Sequence, residues 1–278
     1  MPASAGSDGP GVREIVAVGD ARLALVRHRG EGPWVTLVHG GLVGSWGWRA
    51  QLPSLTKPNL RRAGQVLAFD QRGYGESSAE GPHDIATLAG DLVALWDRLG
   101  IERSYLVGFS LGGFVSLEAA ALAPERVAGL ILEGCAEPAE EARESLARRA
   151  EELDAGAPDA IAEHVFLAFS ETFRVGQPEL IADYTAVARQ VTPSSVAESL
   201  RSIAAWYIDD SHRALDLPLL AVCGEHDRAF GPPRRDALAA AMRRAETATL
   251  KNAGHTAHLE CAPGFNHLVV DFIERTTA

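Results

Sequence analysis

The sequence predicts an α/β fold: a mostly parallel, doubly wound sheet of about eight strands, interrupted once by an all-helical insertion. Three observations predict it. Short apolar runs alternate with stretches of helical period along most of the 278 residues. From Ala136 to about Arg213 that alternation stops, and four helical patterns follow one another with no convincing strand between them. The polar motifs at Gly40-Gly41, Asp70, Ser110, Glu133 and Asp227 each follow the C-terminal end of a predicted strand, where parallel sheets bind their ligands.

The elements follow in order. Arg13–Val18 and Arg22–Arg29 read as two strands joined by a Gly19-Asp20 turn. Trp34–Val38 is a continuous apolar run, as expected of a strand buried on both faces, and it ends in His39-Gly40-Gly41. A short helix is expected over Trp48–Leu55. Gln65–Phe69 is a second buried strand, running into Asp70-Gln71-Arg72-Gly73-Tyr74-Gly75-Glu76-Ser77. Ile85–Leu99 carries Leu88, Leu92, Leu95, Trp96 and Leu99 at helical spacing and stops at Gly100. Tyr105-Leu106-Val107 then gives a strand, a sharp turn at Ser110 and an Ala- and Leu-rich helix, before the strand Val127–Leu132. The helical patterns of the insertion are Ala139–Leu153, Asp159–Phe169, Pro178–Val191 and Ser194–Tyr207. Glu and Arg at i,i+4 spacing on the first predict a solvated face. Strand Leu217–Cys223, helix Arg234–Arg244, strand Ala248–Leu250 and helix Asn266–Thr276 complete the chain. The organisation is therefore a core over 12–135, a helical cap over 136–213, the rest of the core over 214–278, and a flexible N-terminus over 1–11.

A hydrophobic content of 46% and a charged content of 23% exclude global disorder. The net charge of −11, with no basic stripe to offset it, argues against nucleic acid and anionic membranes as partners; it says nothing about the substrate, which is expected to be a small molecule. Cys135, Cys223 and Cys261 are an odd number without C-x-x-C spacing, which argues against a disulfide framework or a structural metal. Cys223, inside an apolar run, reads as a small buried hydrophobe. The first eleven residues show no signal-peptide pattern, and no window approaches a membrane span, so a cytoplasmic location is expected.

The chemistry centres on Gly108-Phe109-Ser110-Leu111-Gly112. A serine at the apex of a strand–turn–helix needs glycine two positions away on each side, because side chains there would collide across so tight a turn. The turn pushes the hydroxyl outward and sets the Leu111 amide at a helix N-terminus, where partial positive charge can meet an oxyanion. A serine needs a base, and the base needs an orienting carboxylate. Of the nine histidines, His255 follows the last strand on the loop Asn252-Ala253-Gly254-His255 and is the expected base. His258 reads as surface or structural, His39 as a donor holding its own loop, and His164 and His267 as packing or surface residues on helices. Asp227, in Gly224-Glu225-His226-Asp227-Arg228, is the expected acid, with Glu225 a weaker candidate and Glu133 within conceivable reach.

The order Ser110, Asp227, His255 resembles that of the α/β-hydrolase fold superfamily, in a serine-nucleophile form with a helical cap. The segments that carry the resemblance are His39-Gly40-Gly41, Asp70–Ser77, Gly108–Gly113, Gly224–Arg228 and Ala253-Gly254-His255, with the tail Leu259–Asn266. It implies an oxyanion hole from the amides of Leu111 and Gly41, with Leu42 the alternative to Gly41. It implies a tight structural turn tied down by Arg72 in the Asp70 motif, and no cofactor or metal. Serine at the apex separates the chain from epoxide and haloalkane hydrolases of that superfamily, which place aspartate there. The cap is expected to roof the pocket with aromatic groups. Phe166, Leu167, Phe169, Phe173, Trp206 and Tyr207 are the candidates, joined by Trp46 and Trp48 from the oxyanion loop. No arginine stands out as a carboxylate clamp. The function expected is an ester hydrolase acting on a small or medium, largely apolar ester, lactone or thioester. The superfamily also admits C–C bond hydrolases, perhydrolase-like haloperoxidases and lyases on the same triad, and non-catalytic ligand receptors.

Overall fold

The structure, a computed structural model, describes residues 11–56, 65–78, 80–157 and 159–277. Except for Gly11, the predicted flexible N-terminus lies outside them. Eight strands form one sheet: β1 (Val12–Val18), β2 (Ala21–His28), β3 (Trp34–Val38), β4 (Gln65–Phe69), β5 (Ser104–Phe109), β6 (Val127–Glu133), β7 (Leu219–Gly224) and β8 (Ala245–Leu250). Their order is β1-β2-β4-β3-β5-β6-β7-β8. The first hairpin and the β2–β4 pairing are antiparallel, and all other pairings are parallel.

The apolar runs are continuous because both faces of the central strands are covered. Alternate residues divide between two cores. Val35, Leu37, Tyr105, Val107, Ile131, Leu220 and Val222 pack with Leu55, Phe265, Val269 and Phe272 from α1 (Leu52–Leu55) and α12 (Ala262–Thr276). On the opposite face Leu67, Phe69, Leu106, Leu130, Leu132, Leu219 and Ala221 meet α2 (Ile85–Leu99), α3 (Leu111–Leu122) and α10 (Pro232–Ala241). The period of two along a strand thus decides which helix each side chain meets.

Helix α2 begins where Asp84 accepts a 2.9 Å bond from the Thr87 amide and ends at Gly100, whose φ of 67° closes the last turn. Arg72 holds the Asp70 turn as expected: its guanidinium grips Asp91 at 2.9 Å through two nitrogens and Asp20 at 2.7 Å. The predicted helix over Trp48–Leu55 is instead a 3₁₀ turn over Gly44–Trp48 followed by the single turn α1. Pro53 in its first turn has no amide to continue the earlier ladder.

Between β6 and β7 the described residues form six helices rather than four: α4 (Glu140–Asp154), α5 (Ala160–Ala168), α6 (Glu171–Gly176), α7 (Pro178–Ala188), α8 (Pro193–Ala205) and α9 (Asp210–Ala214). The two unpredicted ones, α6 and α9, are too short for an apolar period and are set by caps. Ser170 accepts from Phe173, and Asp209 and His212 form a reciprocal capping box. A one-turn α11 (Ala257–Glu260) is likewise unpredicted, and β8 starts three residues before the apolar part of its run because its exposed half lies at the sheet edge. The three cysteines are free, and among the described residues no helix is long and apolar enough to cross a membrane.

Candidate active site

The sheet order switches direction between β3 and β5: the chain runs from β3 to β4 on one side, then crosses to β5 on the other. Ligands of parallel sheets sit at such a switch, beyond the carboxyl ends of the strands. Gly40-Gly41 follows β3 and Ser110 follows β5. The backbone at Ser110 has φ 49° and ψ −117°, a conformation rare for any residue but glycine. Its neighbours make the turn possible. A Cβ on Gly108 would run into the Gly112 carbonyl, and one on Gly112 into the Val38 carbonyl of β3. The Ser110 amide is anchored to the Glu133 carbonyl at 2.8 Å.

Ser110, Asp227 and His255 line one cavity of about 400 Å³ under the helices α4, α5 and α8. His255 Nδ1 lies 2.8 Å from Asp227 Oδ2, while Asp227 Oδ1 accepts 2.9 Å bonds from the amides of Ala229 and Phe230. Burial alone would lower the His255 imidazole, but the Asp227 carboxylate outweighs it, with Glu133 and Glu260 adding, and the net shift is upward. Burial likewise works against the Asp227 anion, yet His255 and the two amides hold its pKa below the ordinary value. Ser110 and His255 share the cavity without a direct hydrogen bond. Such bonds commonly tighten only with substrate in place.

The backbone of Leu111 opens α3 and has no intrahelical acceptor for its N–H. The Leu42 amide is spent on the Gly40 carbonyl at 3.0 Å. His39 holds this loop as expected, with Nδ1 2.7 Å from the Gly40 carbonyl and Nε2 accepting from the Gln71 amide at 2.8 Å.

The other acids point elsewhere. Glu225 turns to Lys251 (3.2 Å) and the Asn252 amide (3.0 Å). Glu133, fully buried, accepts from the His258 amide at 2.9 Å and touches His258 Nδ1 at 2.9 Å. His258 is thus an interior residue, packed on Trp48 and Phe109, and not a surface one.

The aromatic roof is where structure and expectation part. Trp206 is buried against Phe114 and donates to Glu118 at 2.9 Å, so it locks the insertion to α3 instead of facing substrate. Leu42 and Trp48 belong to the two cores, and Trp46 packs edge-on against Tyr184 of α7. Phe166 lies under the Arg174 guanidinium at 3.7 Å and lines an adjoining cleft that shares Leu167, Asp227 and Arg228 with the main cavity. Of the roof candidates Leu167 does line the cavity, whose wall is otherwise Leu146, Leu200, Ile203 and Phe230, with Arg149, Arg228, Arg234, His164 and Glu141 among them. His164, assigned to packing or surface by its helical pattern, is held down at about 3 by burial and by the charges of Arg149 and His255. Its position in α5 could not be told from a packing one by spacing alone.

A model of the alpha/beta hydrolase fold family matches residues 33–262. A protein of Variovorax paradoxus (strain S110) named as a candidate carbamate hydrolase, RutD, is 30% identical over 250 residues, covering 87% of this chain and 92% of its own. A malate-bound thermophilic esterase from Thermogutta terrifontis superposes with a TM-score of 0.84 at 26% identity, covering 96% of this chain and 100% of its own. The enol-lactonase of Burkholderia xenovorans LB400 does so with a TM-score of 0.84 at 27% identity, over 94% and 100% of the two chains. The fold, the switch-point site and these likenesses agree: the chain belongs to the α/β-hydrolase fold family.

Proposed function

We propose that the protein is a serine hydrolase that cleaves a small or medium carboxylic ester, lactone or thioester through an acyl-enzyme. The observation that carries this reading is the strained Ser110 sharing one cavity with a His255 whose Nδ1 is pinned 2.8 Å from Asp227. Ser110 Oγ attacks the carbonyl carbon as His255 Nε2 takes its proton, and the imidazolium that forms is stabilised by Asp227. The oxyanion is met by the amides of Leu111 and Gly41, each such donor being worth on the order of 3 kcal/mol in the transition state. Collapse of the intermediate expels the alkoxide or thiolate, which leaves with the proton from His255. Water, deprotonated by the same imidazole, then attacks the acyl-Ser110, and release of the acid restores the hydroxyl. The esterase and enol-lactonase among the similar structures support this choice of carbonyl substrates.

The test is labelling with a fluorophosphonate, followed by turnover of p-nitrophenyl esters from acetate to octanoate and of simple lactones. Ser110→Ala is expected to lose both labelling and turnover while its melting temperature stays within a few degrees. Retained turnover in that variant would remove Ser110 from the mechanism.

A further inference from the structure

Among the described residues most arginines withdrawn from water are paired. Arg27, Arg72, Arg126, Arg143 and Arg235 each meet a carboxylate, and Arg174 meets the carbonyls of Phe166 and Phe169. Among the described residues two half-buried arginines have no such partner, Arg149 and Arg234, and both line the cavity that holds Ser110 and His255. Exposed Arg228 joins them, likewise without an ion pair. That three such cations share one cavity in a chain of net charge −11 is the reverse of what its composition favours.

The acids nearby do not satisfy them. Asp227 is committed to His255, Glu141 is exposed, and Glu152 and Glu163, which share a second small cavity with Arg149, raise its pKa without forming an ion pair with it. Burial works against the Arg149 cation, and the neighbouring His164, pushed down to about 3, is neutral at ordinary pH and adds no competing charge. An unpaired cation partly removed from water is unfavourable unless an anion completes it. The planar guanidinium suits a carboxylate, which it can hold through two parallel hydrogen bonds.

We propose that Arg149 is a specificity-determining residue that binds a carboxylate carried by the substrate, with Arg228 and Arg234 reinforcing the field. The substrate class is then the half-ester of a dicarboxylic acid, or a lactone or thioester bearing a free carboxylate. This rests on the hydrolase reading above, and it replaces the largely apolar substrate expected from sequence.

The experiment compares two acyl groups of equal length, 4-nitrophenyl hydrogen glutarate and 4-nitrophenyl valerate. Binding is read by calorimetry on Ser110→Ala, which holds either ester without cleaving it, and kcat/KM is read on the unsubstituted protein. The expected result is at least about tenfold tighter binding of the hydrogen glutarate, as a charge-assisted bidentate contact provides. Arg149→Gln in the same background should collapse the ratio between the two esters. Arg149→Met, which keeps the aliphatic stem, is the second variant should the first fail to fold. Equal binding of the two esters, or a preference that survives both variants, would overturn the assignment of Arg149. If the preference holds but neither ester is turned over, the anion site stands and the acyl-enzyme reading fails. If valerate is turned over through Ser110 with no preference, the reverse is true.

Discussion

Gly134, the residue after β6, has φ 61°, and a Cβ placed on it would lie 2.7 Å from His255 Cε1 and 2.9 Å from Nδ1. Gly134→Ala therefore perturbs the imidazole without removing a polar group. The ring would have to retreat by about 0.7 Å to reach an ordinary contact, and it is this ring that makes the 2.8 Å bond to Asp227. A displacement of an ångström at a reacting group costs on the order of a hundredfold, so the rate should fall by about 10–100-fold. The left-handed backbone adds about 1–2 kcal/mol of destabilisation, which lowers the melting temperature by roughly 2–8 °C. Gly100→Ala separates the two effects. Gly100 has a comparable φ of 67° and nothing within 4 Å of the added carbon, so this variant should show the same loss of stability and an unchanged rate. The assay is the second-order rate of fluorophosphonate labelling at Ser110, which reports on the serine and its base whatever the natural substrate. Gly134→Ala labelling within twofold of the parent protein, or Gly100→Ala slowed as much as Gly134→Ala, would refute the claim that Gly134 sets the position of His255.

Other outcomes follow from the same geometry. Asp227→Asn should slow labelling and turnover by about 10³–10⁴-fold, because an amide favours the wrong imidazole tautomer, whereas Glu225→Gln, whose carboxylate faces Lys251, should change them little. A large loss in Glu225→Gln with little in Asp227→Asn would reverse the assignment of the acid. In the proposed mechanism His255 works as the neutral imidazole, and its pKa is raised, so kcat/KM should fall as the pH drops through a midpoint above the usual 6.5 or so of histidine. Asp227→Asn should move that midpoint down, and an acid limb at or below the ordinary value would contradict the coupling. Arg72→Ala leaves buried Asp91 without its partner, at a cost of about 3–5 kcal/mol, and should lower the melting temperature by on the order of 10 °C. A shift under about 2 °C would show that the Asp70 turn does not depend on Arg72.

What the sequence determined by itself is what local backbone chemistry dictates. Continuous apolar runs marked β3 to β7, because a strand covered on both faces has no polar side to show. Glycines around Ser110 marked the turn, because two carbonyls lie where their Cβ atoms would be. That Asp227 and His255 come together was legible because each follows a strand on the rim where ligands bind. Short helices such as α6, α9 and α11 escaped, since one or two turns held by caps carry no period to read. The tertiary structure alone decided where side chains on those elements point. It turned Trp206 toward Glu118 and Glu133 toward His258, and it set Gly134 against His255. It also brought Arg149 of α4, His164 of α5 and Arg234 of α10 to one cavity wall. On an isolated helix a cavity-facing arginine and a solvated one have the same spacing. Which of them lacks a partner depends on what packing brings near, and that lies up to a hundred residues away or more in the chain.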